Sequence, residues 1–371
     1  MTHKERYLTA IEHKEPDVVP VDCWLDLVHV ERIVKKKTRD AGFFAGKDPS
    51  SVKEDMNDIM IENQKLINET HRRLGVDSLF VADYYIYPRG YKPKFIDSNT
   101  YIDHFGKVYR IRKDVNVTYW VDGILKTPEN LDNFEFPNPK EFNYESIELT
   151  VDEAKDEYPV LAWCHLSEMF SYLAMGGIDK LVYAIYRNPR FAKDLIKKVS
   201  EVNMGIIEEI MKRGVNIIGV CDDIADTKGP MLSPKILREF FFPYLDKLTK
   251  NAHQRKIYVL KHSDGNLYPI LDDLISLGID GLHPIEPGAM DLADVKNRYG
   301  DRIFLRGNVD NMYVLQNGSE EEVRKDVRRC IDAAAKGGGF ILAESNSMHA
   351  NVKTENILTM IDETRKYGVY R

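Results

Sequence analysis

Cysteine is scarce in this 371-residue chain: Cys23, Cys164, Cys221 and Cys330 are far apart and form no Cys-x-x-Cys pair. Four isolated thiols cannot staple so long a chain, so a disulfide scaffold is excluded and a reducing, cytoplasmic setting is expected. Long apolar runs are missing as well. No stretch approaches the ~18 apolar residues of a membrane span, and Lys4, Glu5, Arg6, Lys14 and Glu15 stand where a signal peptide needs an apolar core. A soluble, unexported protein without a membrane partner is the expectation. Positive charge is not concentrated either: the net charge is −7 and no long Lys/Arg run occurs, which argues against a nucleic-acid partner. No Gly-x-Gly-x-x-Gly follows the first apolar run, so a dinucleotide-binding sheet lacks its fingerprint.

What is present is a chain with 43% apolar and 30% charged residues, enough to bury a large core. Thr2 and Glu5 make a capping box for a first helix with Tyr7, Ala10 and Ile11 on one side, ended by Pro16. Short apolar runs then recur at 18–25, 78–82, 160–164, 216–220, 257–260, 278–282, 303–305 and 340–343. Most are separated by helical segments, among them 50–73, one opened by the Ser233-Pro234 cap, and one opened by Ser319 and Glu322 with Val323, Val327, Cys330, Ile331 and Ala334 at helical spacing. Strands alternating with helices pair in parallel, and eight of them predict an α/β fold of the (β/α)8 TIM-barrel type. An open doubly wound sheet is the alternative. Residues 1–371 read as one domain with an N-terminal extension. Between about 90 and 145 the pattern changes to Thr, Tyr, Val, Gly, Pro and Asn, which predicts an inserted hairpin or lid.

Nearly every apolar run ends in polar or titratable side chains. The run at 257–260 leads into Lys261, His262, Asp264 and the turn residue Gly265; others lead into Trp24, Asp83 with Tyr84, Asp222 with Asp223, Asn308, and Glu344 with Asn346. In a parallel barrel such positions face the mouth where chemistry is done. Each has a plainer reading too: His262 and Asp264 as turn residues beside Lys261, Asp222 and Asp223 as helix caps, Glu344 as a solvated loop carboxylate, and Trp24, Tyr84 and Tyr85 as packing. His349, Lys353, Cys23 and Cys221 are read as structural.

Several segments, in order along nearly the whole chain, resemble the uroporphyrinogen decarboxylase superfamily: Arg6 with Pro16-Asp17-Val18-Val19-Pro20-Val21, Asp103-His104-Phe105-Gly106, Asp222-Asp223 with Gly229-Pro230-Met231-Leu232-Ser233-Pro234, His262-Ser263-Asp264-Gly265, Arg306-Gly307-Asn308-Val309-Asp310, and Gly338-Gly339-Phe340-Ile341-Leu342 followed by Glu355-Asn356. The decarboxylases proper carry two arginines after the first strand to hold their substrate's carboxylates. Here Asp22-Cys23-Trp24-Leu25-Asp26-Leu27-Val28-His29 stands instead, which disfavours a polycarboxylated ligand. The resemblance therefore implies the other branch, methyltransferases that pass a methyl group between a small methylated substrate and a corrinoid. Their zinc-dependent members show His-x-Cys after the fifth strand and a further Cys after the last. This chain keeps His262 but has Asp264 and Asn346 at the two cysteine positions, so a thiolate-rich site is excluded. Zinc on His262 and Asp264, joined by Glu286 or Glu344, and a metal-free acid/base site both remain open.

On this reading His262, Asp264 and Glu344 are catalytic, Asp222, Asp223, Asn308 and Asn346 position the donor, and Trp24 and Tyr84 stack on it where it is aromatic, the donor being a methoxyaromatic, a methylamine-type or a glycol-type compound. The chain lacks the Asp-x-His-x-x-Gly corrinoid motif, so the cobalt is expected on a separate cobalamin-binding protein. A homodimer is compatible with this expectation. A decarboxylase and a non-catalytic binding barrel are the alternatives.

Overall fold

The computed structural model describes residues 1–39, 55–112 and 117–370. Helix α1 (His3–Ile11) begins at Thr2, and its reciprocal bonds with Glu5 form the expected capping box. Helices α2 (Leu27–Val34) and α3 (Met56–Leu74) follow; the first five positions of the helix expected over 50–73 lie outside the described residues. Strand β1 (Leu79–Ala82) leads into the insert, made of β2 (Lys94–Phe95), β3 (Thr100–Ile102), β4 (Lys107–Arg112) and β5 (Val117–Gly123). After α4 (Pro128–Asp132) and α5 (Glu145–Ala154) come β6 (Val160–Cys164), α6 (Glu168–Met175), α7 (Ile178–Arg187), α8 (Pro189–Met211) and β7 (Ile217–Val220). A small ribbon of β8 (Ala225–Asp226) and β9 (Gly229–Pro230) precedes α9 (Pro234–Phe240) and α10 (Phe242–Gln254). The chain closes with β10 (Tyr258–His262), α11 (Leu271–Ser276), β11 (Gly281–His283), α12 (Leu292–Tyr299), β12 (Phe304–Val309), α13 (Glu320–Ala334), β13 (Phe340–Glu344) and α14 (Thr354–Tyr367). The caps expected at Ser233 and at Ser319 with Glu322 both form, and the helical stripe from Val323 to Ala334 is the buried face of α13.

Seven strands form one curled sheet in the order β1-β6-β7-β10-β11-β12-β13, and every neighbouring pair is parallel. Their C-terminal ends therefore lie along one edge. Large residues face small ones across the register: Trp163 of β6 pairs with Gly219 of β7, and Phe304 of β12 with Gly281 of β11. A Cβ added to Gly219 would overlap the Trp163 indole, which is buried. Gly219→Ala is expected to destabilise the protein by about 1–3 kcal/mol through overpacking, and to alter the near-ultraviolet circular dichroism of the displaced tryptophan; an unchanged denaturation midpoint would remove this account.

The expected eighth strand is corrected by the structure. Residues 18–25 are extended, yet they meet β13 and its following loop only through single parallel bridges, Val21 to Leu342 and Leu25 to Met348. On the other side Asp77 N–H donates to the Val21 carbonyl at 2.8 Å, while the Asp77 carboxylate accepts from Val21 N–H at 2.8 Å. A regular ladder fails here for a local reason. Pro20 has no N–H to give, and the side chains of Asp77 and Glu344 take the N–H groups of Val21 and Trp24 that a neighbouring strand would otherwise receive. The segment is an irregular strap touching both edges of a seven-stranded sheet.

The expected insert is a four-stranded antiparallel sheet in the order β2-β3-β4-β5. It packs on α6, where a Cβ on Gly123 would meet the Ala174 backbone. Among the described residues no helix is long and apolar enough to cross a membrane.

Candidate active site

His262 ends β10 and His283 ends β11 in direct register, with their Nδ1 atoms 2.7 Å apart. Burial holds His262 down at about 4 and, with Arg306 nearby, His283 well below the ordinary imidazole value. Both rings are therefore neutral near pH 7, and a single proton lies between the two nitrogens: one Nδ1 donates and the other accepts. When His262 is the donor, its Nε2 is a lone pair facing the sheet edge. That atom is 3.5 Å from Asp223 Oδ1.

The next turn adds Asp264. Its backbone N–H donates to Asp223 Oδ1 at 3.1 Å, and its Oδ2 accepts from Asn346 Nδ2 at 2.6 Å. Its Oδ1 is enclosed without a partner. Desolvation, then the neighbouring charges of Asp223 and Glu286, push the Asp264 carboxyl up to about 7. The turn is shaped by Gly265, whose positive φ of 87° suits glycine and whose N–H donates to Glu286 at 2.6 Å. One donor atom from each of Asp223, His262 and Asp264 lies within 4.8 Å of the others. An imidazole and two carboxylates, one with an unpartnered buried oxygen, fit a divalent cation of the zinc type and leave a coordination position for a ligand.

A second buried network lies inside the sheet. Arg306 Nε donates to Asp22 at 3.1 Å and its Nη2 reaches Glu344 Oε1 at 3.5 Å; Glu344 Oε1 also accepts from Trp24 N–H at 2.9 Å. Glu344 Oε2 has no partner. Burial raises the Glu344 carboxyl to about 7 against the pull of Arg306. Trp24 stacks on Trp163, with ring centroids 5.2 Å apart, and on Tyr84 at 6.2 Å, and the Trp163 indole stands edge-on to His262 at 6.0 Å.

The structure thus brings His262, Asp264, Asp223 and Asn346 into one cluster. Asp222 is placed elsewhere: fully enclosed, it accepts the backbone N–H groups of Leu166, Ser167 and Met169 at 2.9–3.1 Å, so it holds the loop that leads into α6. Asn308 likewise turns into the wall, donating to the Ile285 carbonyl at 2.7 Å and accepting from Arg329. Glu344 is tied to Arg306, and Tyr84 lines a cavity of about 350 Å3 under the insert. Residues not selected from the sequence also enter the site. His283 orients His262. Asp83 binds His165 through both the ring Nδ1, at 3.0 Å, and the backbone N–H, at 2.6 Å. Glu168 is raised to about 8 by burial and by Asp222. All four follow or end sheet strands, which was their only visible signal. Lys107, buried in the irregular insert, gave none beyond its four-residue spacing from Asp103.

Residues 99–367 match the family model described as "Uroporphyrinogen decarboxylase (URO-D)", and the chain belongs to this family. A uroporphyrinogen decarboxylase of Aeromonas salmonicida is 23% identical over 245 residues, spanning 62% of this chain and 66% of that protein. One from Psychromonas ingrahamii is 24% identical over 262 residues, spanning 66% and 71%. In fold, the chain is similar to a methyltransferase from Methanosarcina mazei, with a TM-score of 0.73 over 99% of each chain and 16% identity.

Proposed function

We propose that this protein is a methyltransferase that moves a methyl group from a small methylated donor to the cobalt of a corrinoid carried by a separate protein. The seven-stranded sheet with its strap at residues 18–25 is read as a (β/α)8 barrel with one irregular stave. The observation that carries the reading is the Asp223–His262–Asp264 cluster at the sheet's C-terminal edge, with donor atoms within 4.8 Å of one another.

In methyl transfer from an ether, the carbon–oxygen bond breaks and its electron pair stays on oxygen. The new cobalt–carbon bond takes both electrons from Co(I), and the departing oxygen needs a proton. Asp264 is placed to hold that proton on Oδ1, since its other oxygen is engaged by Asn346 and its raised affinity keeps about half of it protonated near pH 7. Neutral His262 is held in place by His283. With Asp264 ionised instead, a divalent cation held by Asp223, His262 and Asp264 would supply Lewis acidity to that oxygen in place of the proton. Charge developing on oxygen is where stabilisation raises the rate.

Porphyrinogen decarboxylation is the second reading, favoured by the curated relatives. It asks for cations to meet several carboxylates. Arg306 is already engaged by Asp22 and Glu344, and Lys107 by Asp103 at 3.3 Å.

Incubation with reduced cobalamin and methoxyaromatic or methylamine donors is expected to give the absorption spectrum of methylcobalamin. Silence across the donors, together with decarboxylation of a porphyrinogen, would reverse the assignment.

A further inference from the structure

We infer that His165, oriented by Asp83 and facing His262 across the inside of the curled sheet, is the acid that gives the departing oxygen its proton when Asp264 is engaged as a ligand. This rests on the methyl-transfer reading and supplies a step it needs. A carboxylate bound to a cation has no proton to give, and the oxygen released beside it still requires one.

Strand register places the ring. Lys261 of β10 and Cys164 of β6 both pair with Val220 of β7, so the residues that follow them, His262 and His165, stand at one level. Two strand spacings put their backbones roughly 10 Å apart, with Cys221 between them. Side chains two residues apart on a strand share a face, and Trp163, two residues before His165, is edge-on to His262 at 6.0 Å. The two imidazoles therefore open into one space, with the Trp163 indole one layer down.

Partners decide which imidazole is the acid. His165 Nδ1 is 3.0 Å from Asp83 Oδ1 and 3.2 Å from Oδ2, and the His165 backbone N–H donates to Oδ2 at 2.6 Å. The carboxylate thus fixes Nδ1 as a donor nitrogen, while Nε2 has no hydrogen-bond partner among the described residues. Burial pulls the imidazole down, yet the charge and hydrogen bond of Asp83, helped by Asp222, outweigh it and the opposing charge of Lys107, so His165 is held above the ordinary imidazole value. Lys107 is itself engaged by Asp103, its Nζ 3.4 Å from the centre of the Phe170 ring and within 5.8 Å of the Phe105 and Tyr109 centres. His165 stacks on the same Phe170 at 4.7 Å, a face that favours a cation. His262 is the opposite case, paired with a second imidazole and neutral. Two groups of one kind driven apart by their surroundings define an acid and its counterpart.

The step balances. As the carbon–oxygen bond breaks, its electron pair stays on oxygen and the methyl carbon takes its new pair from Co(I). The Nε2–H bond of the imidazolium breaks toward nitrogen, and its proton completes the hydroxyl group. Neutral His165 then recovers a proton from solvent, while Asp83 stays a carboxylate throughout.

The first test needs no donor. In full-length protein with isotope-labelled histidines, NMR titration is expected to show His165, identified by its absence in His165→Gln, titrating above the ordinary imidazole value, and its midpoint is expected to move down in Asp83→Asn. A midpoint at or below the ordinary value, or one indifferent to Asp83→Asn, overturns the proposal. The second test uses zinc-supplemented protein, reduced cobalamin and two ethers of similar size, anisole and 2,6-difluoroanisole, whose fluorines stabilise the departing phenolate without a proton. His165→Gln is expected to lower methylcobalamin formation from anisole by about 10²-fold or more and from 2,6-difluoroanisole by less than about tenfold. The parent's rate on anisole is expected to fall at the pH where His165 titrates, and that fall to move to lower pH in Asp83→Asn. If His165→Gln does not fold, Asp83→Asn carries both tests, its displaced resonance identifying His165. Equal losses on the two ethers in folded His165→Gln, or a pH profile unmoved in Asp83→Asn, would make His165 a structural residue. Tetramethylammonium, whose amine leaves uncharged, separates the two failures. Methylcobalamin from it and from neither ether keeps the methyl-transfer reading and overturns the role of His165; none from all three donors rejects the reading and the acid with it.

Discussion

His262→Ala is expected to lower methyl transfer to cobalamin by about 10²–10³-fold, the scale of losing one source of electrostatic stabilisation at a developing oxyanion, here the cation that needs its nitrogen. The substitution takes away the Nε2 that faces Asp223 and leaves His283 Nδ1 without its 2.7 Å partner. That orphaned group costs about 1–3 kcal/mol, a modest loss for a chain with so large a core. Metal bound per chain, determined after purification without chelator, is expected to fall in parallel, because the cluster loses its single nitrogen donor. Asp264→Asn removes both roles of the carboxyl group. It keeps the side chain's size but can neither hold an acidic proton nor ligate with a carboxylate oxygen. In the parent protein Asp264 is raised to about 7 by burial, so the protonated form is present below that pH and lost above it. In protein stripped of metal by chelator, the rate should therefore fall as pH rises through about 7, and the Asp264→Asn variant should be both slow and flat over the same range. Parent-like rates in both variants would sink the cluster as the site.

The second large effect concerns stability. Arg306→Met is expected to destabilise the protein by about 3–5 kcal/mol at pH 8, since it strands two buried carboxylates, Asp22 and Glu344. The loss should shrink at pH 5.5, and the sign follows from Glu344. Its carboxyl is raised in the folded protein from 4.5 to about 7, so its contribution is fully present below about 4.5 and disappears as pH climbs through 7. Arg306 pulls that value down; without it the carboxyl keeps its proton to higher pH still, and at pH 5.5 no Glu344 charge remains to be stranded. Adding Glu344→Gln to Arg306→Met should remove most of the difference between the two pH values. Urea denaturation of the three proteins at both pH values checks this, and a pH-independent loss in Arg306→Met would contradict the buried-pair account.

Local patterning carried much of the architecture. The capping pairs Thr2–Glu5 and Ser319–Glu322 needed only residues three apart, and seven apolar runs became the seven sheet strands because a buried parallel strand must be apolar on both faces. Residues 18–25 have the same composition and did not join the ladder. What decided their form was Asp77 and Glu344, 56 and 320 residues away from the backbone groups they bind, and no periodicity records such partners. His262 and Asp264 could be selected from a four-residue turn because titratable groups at the end of an apolar strand are unusual. The roles of Asp222 and Asn308 could not. Identical strand-end positions point to the mouth or into the wall according to which loop packs over them, and Asp222 is taken by the N–H groups of Leu166, Ser167 and Met169 at the start of α6. Lys107 shows the same limit. A lysine in an irregular insert reads as solvated, and only the tertiary fold, by closing aromatic rings and Asp103 around it, makes it a buried cation beside a cavity.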